Sequence, residues 1–397
     1  MCPTFIATGD EVMSTRGRAN IIRHSLELRA NGQDPLKSAE LDAALSNCLS
    51  CKGCTPECPS NVNLALLKAE MLHARWKRDG LPIRERIFSN VDLLGRIGCS
   101  APWLFNAIGD FGPVRGFMEK TLGISARRSL PHYAQQRFDK WFAKHCRASV
   151  SDASPSRRDG LQKKVILWDD TFVRYHEPNI GIAAVKVLEG LGFEVELVEN
   201  RKCCGRPAFS QGNLDVAAEV AQRNVDLLSS QQSDLPIIFL EASCWSMFVE
   251  DYRELNIPNA DKIADRCVLF ENFVDDLLDR EPDALQFKER DTKVAIHAHC
   301  HARSLMNPAF MARLVERLPG RRASLLETGC CGMAGAFGAL SEKYELSKQV
   351  AADVLRKIDK QQPDVVIASG TSCRHQIIDL SERWPKHMAE LLADAIG

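Results

Sequence analysis

Residues 203–212 read CCGRPAFSQG, and residues 330–339 read CCGMAGAFGA. The flanks of these two stretches align in register. VILWDDT (165–171) falls over VAIHAHC (294–300), and EASC, ending at Cys244, falls over GTSC, ending at Cys373. From the double cysteine to the last cysteine the gap is 40 positions in one copy (204 to 244) and 42 in the other (331 to 373). Matching landmarks at matching depth mark an internal repeat. Within each copy, short apolar runs alternate with amphipathic stretches. VILWD (165–169), FEVELV (193–198), PIIFL (236–240), VAIHA (294–298), ASLLET (323–328) and DVVIAS (364–369) read as strands. NIGIAAVKVLEGLG, NLDVAAEVAQRNVDLL and EKYELSKQVAADVLRKI read as helices. Strand–helix alternation implies parallel sheets covered by helices. The expectation is two α/β lobes related by a pseudo-two-fold axis, 165–280 and 281–397.

Upstream the texture differs. Residues 1–75 carry five cysteines, and 76–146 read as a helical connector in LPIRERIFSNVDLLGRIG and SLPHYAQQRFDKWFAKH, with Pro82 and Pro131 at first helical turns. The polar stretch 147–164 reads as a linker, so the connector and linker together span 76–164. The whole is an α+β multidomain chain. Its 397 residues suffice for several cores, and 45% hydrophobic with 26% charged residues is ordinary for a globular protein. A net charge of -1 gives no bias toward nucleic acid. The sequence shows no long apolar run and no signal-peptide core at its start, so a cytoplasmic place is expected. Fifteen cysteines in a reducing compartment point to metal or redox work.

Their spacing narrows the chemistry. Cys48, Cys51, Cys54 and Cys58-Pro59 form C-x-x-C-x-x-C-x-x-x-C-P, in which the first three thiolates hold one [4Fe–4S] cube and the fourth points to another. A zinc site on the same cysteines is the competing reading, but zinc ribbons use two separated CxxC pairs. A cube on Cys48, Cys51 and Cys54 needs a fourth ligand from a second Cys-Pro, and one stands at Cys2-Pro3. The expected set is therefore Cys2, Cys48, Cys51 and Cys54. Cys58 is left for a second cube whose other ligands would lie upstream of Met1, as if the sequence began partway through a two-cluster motif.

Adjacent cysteines suit a metal–sulfur centre of unusual geometry better than a strained vicinal disulfide. The second lobe offers Cys300, Cys330, Cys331 and Cys373, with His297, His299 and His301 around the first and His375 after the last. In the first lobe Thr171 takes the place of Cys300, leaving Cys203, Cys204 and Cys244. That lobe reads as degenerate, and both cysteine sets are expected to face a common interlobe region. Buried structural thiols are the plain alternative.

The two CCG lobes resemble the cysteine-rich domains of the heterodisulfide reductase B subunit and of the anaerobic glycerol-3-phosphate dehydrogenase C subunit. The order of ferredoxin motif, connector and lobes resembles the C-terminal half of fused FAD-linked dehydrogenases acting on D-lactate, glycolate or D-2-hydroxyglutarate. MCPTFIATGDEVMSTRGRAN, CKGCTPECPSNVNLALLKAE, ISARRSLP and DDTFVRYHEPNIG carry that likeness. The resemblance implies an oxidoreductase component that passes electrons from FAD, on a separate half or partner, to a quinone, cytochrome or other acceptor. It also implies a possible second iron–sulfur centre in the lobes and peripheral association with the cytoplasmic face of a membrane. The alternative it implies is thiol or disulfide chemistry at the CCG site. In heterodisulfide reductase each set ends in CxxC, whereas here Cys244 precedes Trp245-Ser246-Met247 and Cys373 precedes Arg374-His375-Gln376.

Cys99, Cys146 and Cys267 read as ordinary thiols. Lys120, Arg127, Arg128, Arg137, Lys140, Lys144, Arg147, Arg157, Arg158, Lys163 and Lys164 read as a solvated basic face, or as a docking strip for an acidic partner or anionic lipid. Arg16 and Arg18 stand near enough to Cys2-Pro3 to support a reduced cluster or to form structural ion pairs.

Overall fold

A computed structural model describes residues 2–30, 32, 34–152, 163–230 and 234–397, without the side chains of 29, 30 and 148–152. The N-terminal part is helical: α1 (Pro3–Thr8), α2 (Thr15–Ala30), α3 (Ala39–Ser46) and α4 (Leu64–Asp79), with the four clustered cysteines on the loop between α3 and α4. Asn63 caps α4 by accepting from the amides of Ala65 and Leu66. This helix runs through residue 75, where the sequence suggested a domain boundary.

The connector is α5 (Ile83–Ser89), α6 (Val91–Gly98), α7 (Pro102–Asp110), α8 (Gly112–Leu122) and α9 (Phe138–Asp152). Two expectations change here. Pro131 opens no helix, because the chain from Ser129 to Arg137 is irregular and α9 begins only at Phe138. The proposed linker is α-helical up to Asp152 and β-strand from Lys163; its middle lies outside the described residues. α6 packs through its glycines, on lobe one at Gly95 and on the connector itself at Gly98. A Cβ on Gly95 would stand 2.5 Å from the Tyr175 ring, and one on Gly98 2.3 Å from Tyr133.

Lobe one is a parallel sheet in the order β2-β1-β3-β4, from β1 (Lys163–Trp168), β2 (Phe193–Leu197), β3 (Ile237–Phe239) and β4 (Cys267–Leu269). Lobe two repeats it as β6-β5-β7, from β5 (Thr292–Ile296), β6 (Arg321–Leu325) and β7 (Val365–Ile367). Val165 pairs with Val195 as Val294 pairs with Ala323, and Ile166 pairs with Ile237 as Val294 and Ala295 pair with Val365 and Val366. The repeat seen in the sequence is thus a repeat of sheets, and β4 is an extra edge strand in the first copy. Apolar residues of both lobes, Val165, Ile238 and Phe239 with Val294, Ile296 and Leu314, belong to one continuous core. The helix Met388–Ala395 at the end of lobe two packs on Pro178–Gly190 of lobe one, which ties the two together. Among the described residues no helix is long and apolar enough to cross a membrane.

Candidate metal centres

In a parallel sheet the loops after the C-terminal strand ends gather at one edge. Thr171 follows β1, Cys203 and Cys204 follow β2, and Cys244 follows β3. Cys300, Cys330–Cys331 and Cys373 follow β5, β6 and β7 in the same way. Each double cysteine is followed by a glycine in the left-handed region, Gly205 at φ 90° and Gly332 at φ 89°. No side chain would fit at Gly332, where a Cβ would stand 2.5 Å from the Ser347 carbonyl oxygen.

The N-terminal loop brings together four thiols. Cys2, Cys48, Cys51 and Cys54 line one small cavity, with Pro3, Arg18, Lys52 and Leu64 completing its wall. Arg18 is buried and donates through Nη1 to Cys2 Sγ at 2.9 Å, while its other nitrogens reach Thr4 Oγ1 and the carbonyls of Ala44 and Asn47. Burial alone would raise the Cys2 thiol, but the Arg18 charge and the hydrogen bonds from Thr4 and Arg18 bring it below the ordinary value. Cys54 is pushed up to about 11 by burial and by the neighbouring Cys48 and Cys2. Four clustered soft donors, two of them costly to ionise without a cation, are a donor set that fits a [4Fe–4S] cube. Of the two arginines, Arg18 takes the position beside the site, while exposed Arg16 pairs with Glu11 at 2.9 Å. Cys58 stands apart: it is absent from the cavity wall, and amides of Val62, Ser60 and Asn61 hold its thiol below the ordinary value.

The loop closes onto both lobes. Cys51 packs with Leu49, Cys300 and Cys330 in one apolar cluster, and burial, followed by the charge of Cys300, pushes the Cys51 thiol up. Lys52, 2% exposed, sends Nζ to Asp251 at 2.8 Å and to Glu250. Asp251 also receives Arg206, whose Nη2 donates to Ser246 Oγ at 2.9 Å. Ser246 Oγ lies 3.0 Å from His301 Nδ1, and His301 Nε2 donates to the Ser50 carbonyl at 3.1 Å. The chain of contacts runs from cluster loop to lobe one to lobe two and back.

Within lobe two the sulfurs follow one another: Cys300 by Cys330, Cys330 by Cys331, Cys331 by Cys373. The hydrogen bond from Cys330 lowers the Cys300 thiol to about 7, helped by the charge of His299. Cys331 is also lowered by its thiol neighbours Cys330 and Cys373. In lobe one Cys203 meets Cys204 and Cys204 meets Cys244, while Thr171 supplies a hydroxyl to Cys203 where lobe two has a thiol. All three thiols are raised above the ordinary value. Glu241, on the loop after β3, accepts from the Thr371 amide at 2.8 Å, so the two sets of loops meet across one interface. His375 is not aimed at these thiols by any described contact, but His297 is. Its ring nitrogen, Cys331 Sγ and Cys373 Sγ lie mutually within 4.8 Å; the spacing puts four histidines near these cysteines but does not single out His297 as the one that reaches them.

Other expectations are redistributed. Cys99 and Cys267 donate to the carbonyls of Tyr175 and Ile263, and Cys146 is exposed. The basic segment is no uniform solvated face. Arg128 is buried, bonding Gly338 O and Ser347 Oγ; Arg127 pairs with Glu345, and Lys163 and Lys164 pair with Glu281 and Glu196. Arg157 and Arg158 lie outside the described residues. A larger cavity of about 380 Å³ opens beside Cys48, with Trp76, Gln211, Phe337, Lys68, Arg75, Arg84 and Lys343 among its lining.

Comparisons with known proteins agree with this arrangement. The 4Fe-4S dicluster domain family matches residues 1–63, and the cysteine-rich domain family matches twice, over 171–249 and 294–378. The anaerobic glycerol-3-phosphate dehydrogenase C subunit of Escherichia coli (strain K12) is 28% identical over 342 residues, 85% of this chain and 83% of that one. The glycolate oxidase iron-sulfur subunit of the same strain is 25% identical over 407 residues, covering 100% and 91%. D-2-hydroxyglutarate dehydrogenase of Pseudomonas putida is 24% identical over 437 residues, 99% of this chain but 41% of that protein. The chain is therefore an iron–sulfur electron-transfer module, a 4Fe-4S dicluster domain joined to two cysteine-rich domains, matching the iron–sulfur half of FAD-linked dehydrogenases.

Proposed function

We propose that this chain receives electrons from an FAD-bearing dehydrogenase component oxidising a small 2-hydroxyacid, and delivers them to a quinone, cytochrome or similar acceptor. The observation that carries the reading is the single cavity walled by Cys2, Cys48, Cys51 and Cys54, with Cys51 packed against Cys300 of lobe two. A cube bound there takes up and releases one electron at a time. The chain's own groups prepare the place. Arg18 sets a buried cation against Cys2, the Ser50 amide donates to Cys48 Sγ at 3.4 Å, and Leu49 and Leu64 exclude water. Cys58 is assigned to a second cube, and the lobe thiols to a further centre. The cavity beside Cys48, lined by apolar Leu45, Leu72, Trp76 and Phe337 and by Lys68, Arg75, Arg84 and Lys343, is the approach for a small acceptor. Association with the cytoplasmic face of a membrane belongs to the same proposal and rests on α5–α8, where Ile83, Trp103 and Phe117 are each at least two-thirds exposed.

The test is reconstitution. The anaerobically purified chain should be brown and show a reducible iron–sulfur signal, yet reduce no dye with hydroxyacids alone. Added to an FAD-bearing dehydrogenase, it should support substrate-dependent reduction of its cluster. Dye reduction by the flavin-free chain would refute the division of labour.

The second reading, thiol or disulfide chemistry in lobe two, has one observation in its favour: Cys300, lowered to about 7, is substantially thiolate at neutral pH. Disulfide reduction that persists in a chain lacking the N-terminal cluster would favour it.

A further inference from the structure

We infer that lobe two holds its metal through a mixed thiolate–imidazole set, with His297 Nε2 as a ligand beside Cys331 and Cys373. The inference rests on the electron-transfer reading only in taking lobe two to be a metal centre. Three observations lead to it. First, the His297, Cys331 and Cys373 ligand atoms lie within 4.8 Å of one another, and the residues are 0%, 2% and 1% exposed. Such a spread is one that a single bound metal closes with small side-chain movements. Second, His297 Nε2 is buried with no nitrogen or oxygen partner among the described residues, and its near polar neighbour is the Cys331 sulfur. A buried polar nitrogen left unpaired is costly, and a metal at that point would satisfy it. Third, the other ring nitrogen is already held: His297 Nδ1 and Thr328 Oγ1 are 2.8 Å apart, with Thr328 itself 2% exposed. With Nδ1–H donating to that hydroxyl, Nε2 carries its lone pair toward the two sulfurs. This is the outer-shell contact that usually orients a metal-bound imidazole.

The fold explains the placement. His297 is the first residue beyond β5, and its amide donates to Ile367 O at 2.8 Å, so the backbone is fixed by the sheet. Cys331 follows β6 and Cys373 opens the helix after β7, so all three come from the same sheet edge. Lobe one repeats the sheet but not the site: the residue over His297 is Trp168, whose ring packs on Phe239 and Phe248. Loss of the imidazole and replacement of Cys300 by Thr171 remove two donors from the first copy. The asymmetry between the lobes therefore extends beyond one cysteine. Cys330 and Cys300, next along the row of sulfurs, are placed to complete the coordination.

Imidazole with thiolates suits zinc as a single tetrahedral ion, and suits iron in a sulfur centre where one histidine replaces a cysteine. The shared chemistry is a thiophilic transition metal with one nitrogen ligand, and metal analysis separates the two sources. The experiment uses the full chain, purified anaerobically, as parent, His297→Ala, His297→Cys and Thr328→Val. Iron and zinc per chain are measured together with the nitrogen hyperfine coupling of the reduced centre, or the zinc-edge absorption spectrum. His297→Ala should lose the lobe-two metal while the N-terminal cluster keeps its iron and signal. His297→Cys should regain metal without the nitrogen signature, and Thr328→Val should weaken metal retention about 10- to 100-fold against a chelator. Unchanged metal and spectra in His297→Ala would overturn the inference, as would a parent chain whose only metal is the N-terminal cluster. Absence of the N-terminal iron as well would instead count against the electron-transfer reading.

Discussion

At the scale of single residues, spacing foretold more than burial did. The CxxCxxC run and the distant Cys2-Pro3 led to the four thiols that share a cavity, because a ligand set leaves its mark as residue identity. Replacing Cys54 with Ser should remove most iron from the N-terminal site, whereas Cys58→Ser should leave that iron in place; iron and sulfide per chain decide it. What spacing could not show is which charged neighbour is buried. Arg16 and Arg18 are alike in sequence, yet Arg18 alone lies against Cys2. The histidines pose the same problem, since His297, His299 and His301 all flank Cys300 in sequence and only the fold shows that His297 lies with Cys331 and Cys373. Glu271 is a further residue invisible from sequence. It is 2% exposed, and burial raises its carboxyl to about 7, with Glu241 nearby adding to the rise. The folded state therefore holds a proton that the unfolded chain releases near pH 4.5. Stability from this group is present in acid and is lost as pH rises from about 4.5 to about 7, by roughly 3 kcal/mol at most. Glu271→Gln should flatten that dependence. Thermal unfolding at pH 5 and pH 8 would show the parent losing more stability than the variant.

At the scale of elements, the six strands read from β-branched and apolar runs are present within a few residues of their expected ends. The missed strand, β4, runs directly into the helix Phe270–Arg280, so its apolar residues read as part of that helix's pattern. The double-cysteine turns were legible because glycine is needed there for conformation. The connector was legible as helix but not as surface. α6 uses its glycines to reach Tyr175 and Tyr133, and thereby turns Leu93, Leu94 and Ile97 outward. With Trp103 and Ile108 on α7, Phe111 between the helices and Phe117 on α8, these consecutive helices hold many of the exposed large apolar side chains among the described residues. Trp and Phe among apolar residues, with Arg96 exposed beside them, suit shallow insertion at an anionic lipid surface. The double variant Trp103→Ser/Phe117→Ser should cut co-sedimentation with anionic vesicles several-fold while leaving far-UV circular dichroism and iron content unchanged. Unchanged vesicle binding, or no binding by the parent, would reassign this face to a protein partner.

At the scale of the whole molecule, the sequence told of a cluster segment and two lobes joined by a connector, but not of how those three parts lock, since contacts between residues about two hundred positions apart leave no local period. The lock is an ion network of low exposure. Lys52, between two of the clustered cysteines, meets Asp251 of lobe one; Asp251 also takes Arg206, and Arg206 reaches through Ser246 to His301 of lobe two. Burial and the adjacent Arg206 keep His301 well below the ordinary imidazole value, so it is neutral and can both accept from Ser246 and donate to Ser50. Breaking a buried pair costs most when it strands a charge. Asp251→Asn leaves buried Arg206 without its carboxylate and Lys52 with Glu250 alone, and should destabilise the chain by about 3–5 kcal/mol. Lys52→Met leaves Asp251 still paired with Arg206 and fills the vacated space with an apolar stem, so its cost should be clearly smaller. The two variants should also differ in kind. Lys52→Met frees the cluster loop from lobe one without disturbing the contact between lobes, so iron should leave the N-terminal site faster under chelation while the lobes still unfold together. Asp251→Asn should lower the unfolding midpoint of the lobes as well. Equal losses in both variants, in iron retention and in unfolding midpoint alike, would mean that the network is a set of independent pairs and that the three parts are held together by their apolar contacts alone.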